Sequence, residues 1–181
     1  ESGKIYADIG IKPTAMPVEH CPGMDKSKDD WVFDYDVSRD DVDLAKEIAT
    51  VRAMNGDFRG HFGDRAVQYY LYYTTLFMWP VVTFDWEPFL VNAVTEPERF
   101  DRVLWEPWAR ISRKYFESLA SMDEEVVFCH DDLVITTGPV FPPAFMEKHI
   151  FSRYEWIMEP VTKAKKKLVF VCDGNMDVFL E

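Results

Sequence analysis

Three carboxylates, an imidazole, a thiol and an amide gather in two short runs of this chain, His130-Asp131-Asp132 and Cys172-Asp173-Gly174-Asn175. Carboxylates beside a histidine can share a proton, hold a cation or bind the polar atoms of a small molecule. Histidine readily gives and takes a proton near neutrality, which makes His130 the leading candidate for proton transfer, with a structural histidine as the bland alternative. Neighbouring residues on a strand point to opposite faces. At most one of Asp131 and Asp132 therefore looks into a site, while the other braces a loop, for example by accepting the amides of Thr136 to Gly138.

Both runs follow apolar stretches. Val126-Val127-Phe128-Cys129 and Leu168-Val169-Phe170-Val171 are continuous apolar runs, the pattern of strands covered on both faces. Between them an amphipathic stretch, about Pro143 to Ala164, predicts a long helix. A strand, a helix and a second strand make a β-α-β unit with parallel strands and a right-handed crossover. Ligands of parallel α/β folds bind beyond the carboxyl ends of the strands, so the two polar runs should share one rim.

The motifs His-Asp-Asp-Leu-Val (130–134), Gly138-Pro139-Val140-Phe141-Pro142-Pro143, a helix with Phe145, Ile150 and Arg153-Tyr154, and Lys-Lys-Leu-Val-Phe-Val-Cys-Asp-Gly-Asn (166–175) together carry a likeness. This pattern resembles the uroporphyrinogen decarboxylase superfamily, and within it the branch of corrinoid-dependent methyltransferases. The resemblance is good over Asp123 to Glu181 and looser from Gly3 onward. It implies a (β/α)8 TIM barrel of the uroporphyrinogen decarboxylase type. Such a barrel needs ~250 residues and the chain has 181, so the expectation is a single barrel domain present in part, its first half to middle, from a longer protein.

By the same resemblance the chain would move a methyl group from a small methylated donor to a corrinoid (cobalamin) protein, a thiol or a folate. The implied site residues are His130, Asp131, Asp132 and Asp173 for catalysis, with Trp86, Asn175 and Cys172 for cofactor binding. Zinc-dependent members carry His-x-Cys at the second strand end, where this chain reads Val171-Cys172-Asp173. That replacement argues against a soft-ligand zinc site and leaves Asp173 as an oxygen donor. Two rival implications stand beside methyl transfer: decarboxylation of a porphyrinogen in haem biosynthesis, and tetrapyrrole or partner binding without catalysis. Decarboxylation of a polycarboxylate needs arginines at the mouth, and these turns supply acids.

Bulk composition bounds the rest. At 48% hydrophobic and 15% aromatic the chain can pack a core. A net charge of -12 argues against nucleic acid and anionic membranes as partners. Lys163, Lys165, Lys166 and Lys167 form a basic cluster that reads as the C-terminal end of a helix. No apolar run approaches the ~20 residues of a membrane span. Three cysteines, Cys21, Cys129 and Cys172, fit free thiols in a reducing, cytoplasmic compartment. A small-molecule substrate and a homo-oligomer are the remaining partner expectations.

Elsewhere, Lys4 to Ile11 reads as a strand or hairpin arm and Lys12 to Asp30 as loop, with His20-Cys21 as a weak metal pair. A helix is expected from Ser38 to about Ala53, closed by Asn55-Gly56. Val67 to Tyr73 reads as a strand, and Leu76 to Phe84 as either strand or buried helix. Trp86 to Leu90 suits an aromatic cover over a flat ligand, or plain core packing. Thr95 and Glu98 form a capping box opening a helix to Met122, kinked at Pro107. His61 and His149 read as bland, in a loop and in mid-helix.

Overall fold

The computed structural model describes residue 21 and residues 24–63 and 70–180; the expected arm at Lys4 to Ile11, and His20, lie outside them. In chain order the strands are β1 (Tyr70–Tyr72), β2 (Val126–His130), β3 (Val134–Ile135), β4 (Gly138–Pro139) and β5 (Lys167–Val171). β1, β2 and β5 form a parallel sheet with β2 in the centre, and β3 with β4 forms a small antiparallel hairpin. The helices are α1 (Leu44–Phe62), α2 (Met78–Phe84), α3 (Trp86–Thr95), α4 (Pro97–Phe100), α5 (Glu106–Ala120), α6 (Pro143–Met146) and α7 (Ser152–Lys163). Two π-helical turns, Asp101–Trp105 and Glu147–Phe151, join α4 to α5 and α6 to α7. The chain is thus a mixed helix and strand fold with a parallel sheet, and no closed barrel is seen among the described residues.

Several boundaries differ from the sequence reading, each for a physical reason. Ser38 opens only a short 3-10 turn, in which the Asp36 carboxylate accepts the Ser38 amide at 3.0 Å. α1 begins later, where Asp43 accepts the amide of Lys46 at 2.9 Å. Asn55-Gly56 does not stop it, because the Asn55 amide is buried and donates to Glu124 instead of capping its own backbone. α1 runs on to Phe62, so His61 lies in its last turn and not in a loop. The capping box is likewise unused: the Thr95 hydroxyl donates back to Val91 O at 2.8 Å, ending α3, while Glu98 pairs with Lys148 at 3.2 Å.

Prolines fall where the helix can bear them. Pro80 sits in the first turn of α2, whose amides have no intrahelical acceptor in any case. Pro107 is second in α5, directly after a π-turn in which the Glu106 amide reaches Asp101 O. Widening the helix by one residue at that point relieves the clash of the proline ring with the preceding turn, where the sequence predicts a kink.

Among the described residues, helices cover one face of the sheet. Tyr72 of β1 stacks on Tyr115 of α5 at 4.7 Å, and Phe170 of β5 meets Tyr154 of α7 at 5.6 Å. Residues alternating with these look the other way, and Leu71, Tyr73 and Val169 are 41%, 53% and 38% exposed. The expectation of strands covered on both faces is therefore corrected for the described residues. Continuous apolar runs do not reveal which face is filled.

Most of the core lies beyond the sheet, in an aromatic layer. Phe77, Phe89, Phe100, Trp105 and Trp108 are fully buried, with Trp79 stacked on Trp108 at 6.0 Å. Trp86 packs on Phe77 and Phe89 at 6.4 and 6.3 Å, so the aromatic segment around it serves as core packing. Among the described residues no helix is long and apolar enough to cross a membrane.

Candidate functional site at the strand ends

β2 and β5 run in parallel with His130 opposite Val171, so the polar runs that follow them emerge side by side. The Asp173 amide donates to Asp132 Oδ1 at 3.2 Å, stitching the two runs together. His130 and Asp132, two residues apart, lie on the same side of the strand. Asp131 lies on the other.

His130 is 5% exposed and held on three sides. Its Nδ1 meets the Tyr73 carbonyl at 3.0 Å, its Nε2 meets Asp132 Oδ1 at 3.1 Å, and its ring stacks on that of Tyr73 at 4.3 Å. A carbonyl can only accept a hydrogen bond, and so can an ionised carboxylate. A neutral imidazole brings one N–H, so satisfying both contacts takes a second proton, carried on the ring or on Asp132. His130 Nε2 and Asp132 Oδ1 thus form a donor–acceptor pair at the strand end. Asp132 is its outward member, with its side chain 24% exposed against 6% for His130.

Asp131 has a different task. It is fully buried, and its carboxylate accepts the amides of Leu76, Phe77 and Met78 at 2.7, 2.9 and 2.8 Å and the Tyr154 hydroxyl at 2.6 Å. It braces the start of α2, where Thr136 to Gly138 was the expected partner. Burial pushes its carboxyl up to about 6, against the pull of the Tyr154 hydroxyl and the three amides. With no surface for a ligand, Asp131 is a positioning residue. Thr75 adds to the same clamp, donating through its amide and its hydroxyl to His130 O, both at 3.1 Å.

The second run supplies fewer free groups. Cys172 Sγ accepts the Leu133 amide at 3.3 Å, and burial raises its thiol pKa. Asn175 is exposed and its carbonyl oxygen accepts the Asp177 amide at 2.9 Å, closing a turn. Asp173 is exposed. Cys129 is sealed in the core with its thiol pushed up to about 12, which excludes it as a nucleophile.

The cofactor expectations can be tested on these contacts. Among the described residues no three His, Cys, Asp or Glu side chains stand together to hold a metal, Val171 occupies a sheet position, and Cys172 is engaged by a backbone amide. The residues do not fit zinc. Of the residues expected to bind a corrin, Trp86 packs on Phe77, Cys172 accepts the Leu133 amide and Asn175 closes a turn through its carbonyl oxygen. Cys21 is buried with its thiol on Thr83 O at 3.5 Å, which accounts for it without a metal.

Three contributors escaped the sequence reading: Tyr73, Thr75 and Tyr154. The usable signal was position, since Tyr73-Thr74-Thr75 ends an aromatic strand and so belongs to the same rim. No protein-family model, no curated protein and no solved structure matches this chain.

Proposed function

We propose that the chain supplies part of a (β/α)8 barrel of the uroporphyrinogen decarboxylase type and that its strand ends serve methyl transfer from a small methylated donor. The observation that carries this reading is the 3.1 Å contact of His130 Nε2 with Asp132 Oδ1 at the carboxyl rim of parallel strands. Transfer breaks the bond between the methyl carbon and its heteroatom, and the electron pair stays on the heteroatom. That atom then takes the proton of the His130–Asp132 pair, delivered by Asp132 as the member that reaches solvent. The acceptor is a second substrate, a corrinoid carried on a separate protein.

Charge supports methyl transfer over decarboxylation. Segments 73–76, 130–134 and 172–177, which form the rim, contain no Lys or Arg. A substrate with many carboxylates would find no counter-charge there.

The test incubates the protein with methylated amines and aryl ethers and reduced cobalamin, and follows donor loss by mass spectrometry. Demethylation is expected, with His130→Gln and Asp132→Asn each lowering the rate by about a hundredfold while the far-ultraviolet circular dichroism is unchanged. Coproporphyrinogen formed from the octacarboxylate would replace the reading with decarboxylation. Tight porphyrin or cobalamin binding without turnover would replace it with binding alone.

A further inference from the structure

Away from the rim, a cleft of about 470 Å³ opens between the first turns of α5 and α7, lined by Glu106, Ala109, Arg110 on one side and Lys148, Ser152, Arg153, Trp156 on the other. Three of its seven lining residues are cations, in a chain where acids outnumber cations 32 to 20. The two π-turns end at this cleft and widen both helices where they face each other. Behind it, Trp105 Nε1 is buried without a hydrogen-bond partner, and His149 Nδ1 faces Asp101 Oδ1 at 3.3 Å. An unspent polar atom in the wall of a cleft is unusual in a packed interior.

We infer that this cleft binds a small ring-bearing anion, a carboxylate or phosphate attached to a flat apolar group. Arg153 is the fixed point. Its guanidinium is anchored to Asp101 at 2.8 Å and to His149 O at 2.6 Å, which leaves further N–H groups of its fork for a ligand. Arg110 and Lys148 are exposed partners, paired with Glu106 and Glu98, with side chains 67% and 61% exposed. Such exposed pairs contribute little and exchange readily for a better acceptor. Trp156 supplies the surface for the ring. Arg113 sits over the indole at 4.6 Å, and the side chain is still 44% exposed. Glu106 is the one carboxylate of the lining, and Arg110 neutralises it.

None of these residues belongs to the strand ends, so the site stands or falls independently of the methyl-transfer reading. Calorimetric titration of the protein at low salt with adenosine monophosphate and with benzoate tests it and separates the two anion types. At least one is expected to bind, with adenosine and inorganic phosphate each weaker by about tenfold or more. Arg110→Gln with Lys148→Gln should weaken binding by about tenfold, and Trp156→Leu should weaken the ring-bearing probe but not phosphate, all without moving the thermal midpoint. Absence of binding by both ring-bearing anions, equal binding of inorganic phosphate, or affinity unchanged in the double variant would overturn the assignment.

Discussion

Asp131 shows how one buried carboxylate can tie a rim together without touching a ligand. Four donors from two distant segments converge on it, three amides of residues 76–78 and the hydroxyl of Tyr154. In Asp131→Asn an NH2 group would face those donors, so a loss of about 3 kcal/mol in urea unfolding at neutral pH is expected, with Tyr154→Phe losing less. The pH dependence has a definite sign. Burial raises the folded-state carboxyl from 3.8 to about 6, so the folded protein holds this proton more tightly than the unfolded chain does. Its contribution is fully present below the unfolded value and is lost as pH rises toward about 6. Unfolding free energies of wild type and Asp131→Asn should therefore draw closer between about pH 4 and 6 and run parallel above that. A gap that widens over this interval would refute the assignment. Gly174 makes a second, steric case. Its φ is +141°, and a Cβ there would collide with a methyl of Val134. Gly174→Ala is expected to cost about 1–3 kcal/mol, part of it recovered when Val134→Ala makes room; no recovery would assign the cost to backbone strain alone.

The helices owe their joints to pairs of residues far apart in sequence. Asp101 on one π-turn receives Arg153 at 2.8 Å and faces His149 of the other at 3.3 Å, so the two widened turns lock against each other. Arg153→Lys keeps the charge but lacks the fork that spans Asp101 and His149 O. A loss of about 2 kcal/mol by thermal unfolding is expected, against little change for Arg110→Lys on the exposed side. This joint was hidden from sequence, where His149 read as an unremarkable helical residue. It is in fact 3% exposed. The same applies to Asn55-Gly56, a helix stop by its residue types, overridden because Glu124 takes the Asn55 amide from 69 positions away. The parallel pairing of β2 with β5 and the meeting of Asp132 with Asp173 were legible, because apolar runs and the turns ending them are local signals. The partners of Asp131 were not, since three of its donors lie more than fifty residues earlier in the chain and the fourth, Tyr154, lies on a helix after it.

Across the molecule, the aromatic core and the sheet divide the apolar residues unequally. Helices α5 and α7 seal one side of the sheet, and the row pairing Leu71, Phe128 and Val169 across β1, β2 and β5 faces the other way. At its two ends Leu71 and Val169 are 41% and 38% exposed, next to Tyr73 at 53%. A run such as Leu168-Val169-Phe170-Val171 has the same composition whether one face or both are filled, which is why the exposure could not be read from it. Leu71 and Val169, exposed at the two ends of that row, should take up a hydrophobic dye under native conditions. Anilinonaphthalene sulfonate fluorescence is expected to rise on mixing with the native protein and to fall in Val169→Lys and in Leu71→Lys. Each change puts a charge on a surface that already meets solvent, so the unfolding free energy in urea should shift by no more than about 0.5 kcal/mol. Because the dye is an anion, Val169→Glu serves as the control that separates apolar contact from charge attraction. Dye binding unchanged in all three variants would mean that the row is covered, and a large loss of stability in any of them would mean that it is part of a packed interior.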